Sequence, residues 1–174
     1  MKQIDFYIKE GQITKDKSVV TLARKYLDKS KNNLMTMQLL SEVNTNGKAR
    51  ELLKISKEYD GDEWVVICGY YAMYTAALAL LAKIGYKSKN HAATIIVLEE
   101  FFVKKKVLDA DALKILKNAI FHKDELEKLS DARHKREIAQ YSITKETTKA
   151  IAESIKKDAY DFVEKCEEII ENSK

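Results

Sequence analysis

The longest apolar stretch of the chain runs from Trp64 to Ala82 and contains nineteen residues without a charged side chain. A stretch of this length could cross a bilayer as one helix, so a membrane span is one alternative. Its composition argues against a span, because alanines, tyrosines, a threonine, a cysteine and a glycine occupy many positions where a spanning helix prefers Leu, Ile or Phe. The flanking segments are amphipathic and need an apolar partner. We therefore expect this stretch to form the buried central helix of a soluble bundle.

The segments before the central helix have apolar positions at three- and four-residue spacing. This spacing predicts one long amphipathic helix from Lys17 to Val43, which ends where turn residues cluster at 44–47. A shorter helix is predicted over 49–59. Asp62 is the predicted N-cap of the central helix, because its carboxylate can accept hydrogen bonds from the free amides of the first turn.

The segments after the central helix repeat this pattern. Gly85 is expected to end the central helix in a left-handed conformation, and Ser88 is expected to cap the next helix. The buried face of that next helix is predicted to carry Ala92, Ile95, Leu98 and Phe102. Another helix is predicted to start at Asp109 or Asp111, and a last one is predicted to be capped by Thr144.

These elements predict an all-α fold, an up-and-down four-helix bundle with additional short helices and no strands. The absence of proline and the presence of only five glycines agree with long helices. We expect a single domain over 1–174, in which 1–16 form an N-terminal arm. The pattern leaves open whether 110–141 is one helix or two with a kink.

Composition indicates which partners and which cellular location to expect. Charged residues are 33% of the chain, but the formal net charge is only +4, as expected for solvated helix faces and compatible with a phosphate-bearing partner. Cys68 and Cys166 fall at apolar helix positions and are predicted to be buried thiols. The first residues lack an apolar signal core, so we expect a cytoplasmic protein.

The sequence indicates neither a metal site nor a cofactor motif. The three histidines, His91, His122 and His134, do not form pairs at metal-ligand spacing. His91, which precedes two alanines, is interpreted as a residue of a helix first turn or of the core edge. The densest group of hydrogen-bond donors lies in 131–141.

In that group Arg133, Arg136 and Gln140 are three and four residues apart, on one helical face, and Tyr141 follows. Arginine is scarce in a chain that otherwise uses lysine, so an arginine pair suggests bidentate binding of a phosphate or of a partner's carboxylates. The alternative is a solvated face in which these arginines pair with Asp131 and Glu137.

Four segments together resemble the HEPN superfamily of helical bundles. They are 69–77 (GYYAMYTAA) with the apolar residues that follow, 89–91 (KNH), 136–141 (REIAQY) and the N-terminal stretch 9–15 (KEGQITK). The resemblance implies a four-helix bundle with a short extra helix that is commonly dimeric and cytoplasmic. It also implies a setting beside minimal nucleotidyltransferases in toxin and antitoxin pairs, or in other RNA-linked defence systems.

The same resemblance implies a possible activity, because active members are metal-independent ribonucleases with an Arg-x(4–6)-His motif. Here neither Arg133 nor Arg136 is followed by histidine at that distance, since Ile138 lies five residues after Arg133. Isoleucine can neither donate nor accept a proton in general acid–base catalysis. Thr75 also stands where this branch of the superfamily often has histidine.

Three interpretations remain. The first is a non-catalytic or degenerate binding and regulatory module for nucleotide, RNA or a nucleotidyltransferase partner, acting through Arg133, Arg136, Gln140 and Tyr141. The second is a metal-independent ribonuclease with His134 as acid or base and Arg136 on the phosphate. The third is a purely structural interaction protein, in which Tyr70, Tyr71 and Tyr74 serve the core.

Overall fold

The computed structural model describes residues 3–133 and 141–172, with side chains in these ranges except for 128–147. The helices are α1 (Gln3–Lys9), α2 (Ala23–Thr45), α3 (Gly47–Leu52), α4 (Asp62–Lys83), α5 (His91–Leu98), α6 (Ala110–Arg133) and α7 (Tyr141–Asn172). A 3₁₀ helix, Lys17–Leu22, precedes α2, and a π-helical turn, Glu99–Val103, extends α5. The strands are β1 (Ile13–Lys15) and β2 (Tyr86–Ser88). The predicted all-α class is confirmed.

The long helices α2, α4, α6 and α7 form the bundle, and α4 packs against the other three. The side chain of Ser30 donates to the carbonyl of Ala72 (2.7 Å) and that of Asn44 donates to Asp62 (2.7 Å), so α2 and α4 run antiparallel. The Tyr160 hydroxyl of α7 donates to Gln38 of α2.

The central helix α4 is buried as the sequence predicts. Among the described residues it is the one helix long and apolar enough to cross a membrane, but 72% of its most apolar window is buried within the bundle. Gly69 allows close packing here, because a Cβ at this position would lie 3.1 Å from the Met37 sulfur and 3.3 Å from Ile155. This helix is therefore packed as the core helix of the bundle.

One side of α4 is not covered by the rest of the bundle. Trp64 is 56% exposed and Tyr71 is 43% exposed, and three half-buried residues lie beside them. We call this surface the open face of α4, and it consists of Trp64, Ile67, Cys68, Tyr71 and Leu78. These positions recur at three and four residues, so they share one side of the helix.

The expectation of no strands is wrong. β1 and β2 pair antiparallel, with Thr14 opposite Lys87, because the N-terminal arm folds back along the segment that follows α4. Gly85 ends α4 as predicted, with φ +75°, which turns the chain into β2. Ile4 and Ile13 of the arm are 6% and 1% exposed, so two apolar side chains anchor the arm in the core.

Several predicted helix ends differ from the structure. Asp62 is the first residue of α4 and not its cap, because its carboxylate accepts the Asn44 amide instead of a first-turn amide. Asn90 and not Ser88 caps α5, by accepting the Ala93 amide hydrogen (2.8 Å). The last helix begins at Tyr141, before the predicted cap Thr144.

Other helix boundaries and buried faces also differ from the prediction. The first long helix begins with a 3₁₀ turn capped by Asp16, and the helix predicted over 49–59 ends at Leu52. On α5 Ala92 is exposed, whereas Ala93 is buried, and the burial of Ile96 and Val97 beside Leu98 makes the buried face wider than predicted. α6 is unbroken from Ala110 to Arg133, which answers the question of a kink for that part of 110–141.

Candidate functional site

Of the predicted phosphate-binding residues, the structure describes the backbone of Arg133 and Tyr141. Arg133 is the last residue of α6 and Tyr141 is the first of α7. Their side chains are not described, and Arg136, Gln140 and His134 lie outside the described residues. The assignment of these five residues therefore stays a prediction.

The described part of the bundle contains a different cluster of titratable side chains, centred on His91. The Nε2 atom of His91 is hydrogen-bonded to the Tyr70 hydroxyl (2.6 Å). The imidazole ring also meets the Tyr74 ring edge to face, with centroids 4.8 Å apart, and the rings of Tyr70 and Tyr74 are stacked at 5.7 Å. The three rings join α4 to the first turn of α5.

Local sequence explains why these rings meet. Tyr70 and Tyr74 are four residues apart on α4 and therefore share one side of that helix. His91 is the first residue of α5, and the cap at Asn90 fixes where that helix begins. Because Gly85 and the short β2 reverse the chain, the start of α5 returns to the middle of α4.

Hydroxyl groups continue the cluster towards the N-terminal arm. The Thr94 hydroxyl lies 3.3 Å from the Tyr74 hydroxyl and 2.6 Å from that of Ser88. The Asn90 side chain donates to Gln12 of the arm (2.9 Å). The segments 9–15, 69–77 and 89–91, which carry three parts of the family resemblance, therefore meet in one hydrogen-bonded region.

A cation from α6 completes the surroundings of Tyr70. The ammonium of Lys123 lies 5.6 Å from the centroid of the Tyr70 ring. It also pairs with Glu127 (2.7 Å) and Asp124 (3.6 Å), and the Lys123 side chain is only 13% exposed. Such a position over an aromatic face is favourable for a cation.

Burial sets the protonation states of this cluster. Burial raises the pKa of the Tyr70 hydroxyl, and the nearby Tyr74, Tyr71, Asp124 and Glu127 raise it further. Burial lowers the pKa of His91, although Asp124 acts in the opposite direction. At neutral pH both groups are therefore uncharged, and their contact is a neutral hydrogen bond.

The chemistry available here is that of a neutral imidazole held in place by a buried phenol. Among the described residues no group of three or more His, Cys, Asp or Glu side chains could hold a metal ion. The prediction that His91 lies in a helix first turn is confirmed. Sequence reasoning missed its contact with Tyr70, although the Tyr70–Tyr74 spacing together with a histidine just after the next turn was a usable signal.

The cysteines add no reactive site. Cys166 is fully buried, and burial raises its pKa, as predicted for a structural thiol. Cys68 is only half-buried, because it lies on the open face of α4. Burial raises its pKa as well, so it is protonated and a poor nucleophile at neutral pH.

The chain has an all-α fold, and its four-helix bundle is built around a central helix that carries no charge from Trp64 to Ala82. A scan against protein-family models finds no match. The chain is 32% identical over 130 residues to a UPF0332 protein of Archaeoglobus fulgidus, a match that spans 73% of this chain and 93% of the relative. The chain therefore belongs to the UPF0332 family.

Proposed function

We propose that this chain is a HEPN-like binding or regulatory module whose ligand carries phosphate, either a nucleotide or RNA. The observation that carries the proposal is the hydrogen bond between Tyr70 and His91. It joins two of the segments on which the HEPN resemblance rests, although they are 21 residues apart in sequence. A contact between these segments is expected if the resemblance reflects a shared arrangement of helices.

The proposed ligand-binding residues are Arg133, Arg136, Gln140 and Tyr141. Two guanidinium groups can each bind phosphate oxygens through two parallel hydrogen bonds, which lysine cannot do. The amide and the phenol add uncharged donors. Position 138, five residues after Arg133, is isoleucine, so the Arg-x(4–6)-His motif is incomplete. Binding of a phosphate does not need that motif.

A second copy of the chain is part of the proposal, and we place it on the open face of α4. On the solvent side of α7, Lys157, Asp161 and Glu164 are exposed, as is normal for a solvated helix. The open face of α4 instead carries an exposed tryptophan and tyrosine and no charge. An uncharged surface of this kind favours an equally uncharged partner.

The open face can match itself about a twofold axis. Trp64 and Leu78 lie seven residues before and after Tyr71, so an antiparallel pair of α4 helices would set Trp64 of each copy against Leu78 of the other. This pairing buries no charge and opposes the two helix dipoles. A minimal nucleotidyltransferase as physiological partner, a toxin and antitoxin role and a cytoplasmic location follow from the resemblance and are proposed on that ground.

The test is a titration of purified protein with labelled RNA and with ATP at two salt concentrations. We expect saturable binding that weakens with salt, because phosphate contacts release counterions. Arg136→Ala should weaken it. Arg24→Ala is the matched control, because it removes the same charge from an exposed ion pair with Asp28 and Glu171 on the bundle surface. The absence of saturable binding would favour a purely structural interaction protein.

Ribonuclease activity is the second outcome to be tested, with labelled RNA in the presence of a chelator. Cleavage that is lost in His134→Ala would replace the binding-only role by metal-independent catalysis with His134 and Arg136. His91→Ala is included because His91 is a well-positioned imidazole. Cleavage lost only in that variant would move the site to the Tyr70 cluster.

A further inference from the structure

Two segments that pair at one end of the bundle carry an excess of positive charge. The segments 9–17 and 83–89 carry six lysines and two carboxylates, and this excess equals the +4 formal net charge of the whole chain. The remaining residues are therefore balanced. We call these two segments the lysine ribbon, and its lysines are Lys9, Lys15, Lys17, Lys83, Lys87 and Lys89.

The pairing of β1 with β2 brings the two segments together. Thr14 is opposite Lys87 and Lys15 is opposite Tyr86, and the ladder extends to a backbone hydrogen bond from Lys89 to Gln12 (3.0 Å). At the other end the Asp16 amide donates to the Gly85 carbonyl (2.8 Å). The pairing thus brings residues that are about 70 positions apart in sequence into one region, in which Lys87 lies on one face of the ladder and Lys15 lies on the other.

Most of these charges are available to an external anion. Lys87 is paired with Asp16 (2.8 Å), and this hydrogen bond, with two more from Ser18, lowers the pKa of Asp16 to about 2. The other five lysines of the ribbon form no ion pair with any described residue, and all of them except the half-buried Lys83 are exposed. Elsewhere, by contrast, Lys123 and Lys104 are paired with glutamates one helical turn away.

We propose that the lysine ribbon binds the phosphate backbone of single-stranded RNA without reading its sequence. Five lysines that pair with no described residue, held in one region by the β1–β2 pairing, suit a ligand with regularly repeated negative charges, whereas a single small phosphate could contact only one or two of them. Non-specific binding of nucleic acid is supplied by such lysine–phosphate contacts. The inference rests on the proposed function in taking RNA as the ligand, but it assigns the binding to other residues than Arg133 and Arg136.

The expected size of the effect follows from counterion release. For single strands the slope of log affinity against log salt is about −0.7 per phosphate contact, so five contacts give about −3.5. Affinity should then fall about a hundredfold between about 50 mM and about 200 mM salt. Loss of three contacts leaves a slope of about −1.4 and a fall of about sevenfold.

The experiment measures binding of fluorescein-labelled oligouridylate to the full chain by anisotropy over that salt range. The ribbon variant replaces Lys15, Lys17 and Lys89 by glutamine. The control variant replaces Lys25, Lys29 and Lys157, which are also exposed, and so removes the same total charge elsewhere. Both variants alter only exposed side chains, so both should fold, which circular dichroism will verify.

A flattened salt slope in the ribbon variant, with the wild-type slope kept in the control, supports the proposal. Equal slopes in the two variants, or no RNA binding by the wild type, overturn it. Binding to phosphatidylserine vesicles without binding to RNA also overturns it, in favour of a membrane surface. If Arg136→Ala abolishes ATP binding while the ribbon variant keeps the wild-type slope for RNA, the proposed function stands and this inference fails.

Discussion

Tyr70→Phe removes one hydroxyl group from the core and nothing else. The Tyr70 side chain is 2% exposed, and its hydroxyl is hydrogen-bonded to His91 Nε2 at 2.6 Å. Phenylalanine keeps the ring that stacks on Tyr74 and lies under Lys123. The variant therefore isolates the contribution of a single hydrogen bond between α4 and α5.

A buried neutral hydrogen bond contributes about 1 kcal/mol to stability. For a chain of this size a loss of that magnitude lowers the melting temperature by about 2–4 °C. We expect this shift in urea and thermal unfolding followed by circular dichroism at neutral pH. Tyr59→Phe is the matched control, since Tyr59 is 37% exposed and lies outside the open face of α4, and loss of its hydroxyl should change stability by less than about 0.5 kcal/mol. Equal stability of the two variants would refute the assignment of the Tyr70–His91 contact as a stabilising link.

Three further predictions follow from individual groups. Because burial lowers the pKa of His91, the unfolded chain binds a proton more readily than the folded chain. The free energy of unfolding should therefore decrease as pH falls below about 6.5. Urea titrations should show a flatter dependence of this free energy on pH for His91→Gln. Gly85→Ala should cost about 1–2 kcal/mol by thermal unfolding, because φ is +75° there, whereas Gly47→Ala, with no neighbouring atom within 4 Å, should cost nothing. In sedimentation experiments Trp64→Glu should convert a dimer to a monomer, whereas Leu52→Glu, an equally charged change at an exposed residue of α3, should not. A monomeric wild type, or a dimeric Trp64→Glu, would contradict the placement of the second copy. The glutamate is tolerated by the fold, since residue 64 lies in the first turn of α4, where the helix dipole favours acidic groups.

The fold class was predictable because helical periodicity and the uncharged stretch from Trp64 to Ala82 are properties of local sequence. The ends were less predictable where side chains had competing partners. Asp62 could have capped α4, but Asn44, 18 residues earlier, takes its carboxylate. The strands were missed for a similar reason, since β1 and β2 have three residues each and depend on a pairing across some 70 residues that no local pattern encodes.

Less of the site could be predicted. The sequence singled out the donors between Arg133 and Tyr141 by their composition, and these stay a prediction. It missed the contact of His91 with Tyr70, because the spacing of Tyr70 and Tyr74 indicates a shared helix face but does not say which residue 21 positions later packs on it. Only the reversal at Gly85 and the cap at Asn90, taken together, place that ring against α4.

The family resemblance can persist without ribonuclease chemistry because its described residues have structural roles. Tyr70 is a core residue, Asn90 caps a helix and joins it to the arm, and His91 fastens α5 to α4. A sequence that needs these contacts keeps these residue types whether or not it cleaves RNA. Substitutions at Tyr70 or His91 therefore test stability first, and the distinction between binding and catalysis has to be made at Arg136 and His134. Residue types on α4 can be judged in the same way. Packing requires uncharged residues on the buried sides of α4 but not on its open face. Trp64 and Tyr71 are therefore the positions at which packing within the chain does not explain the residue type.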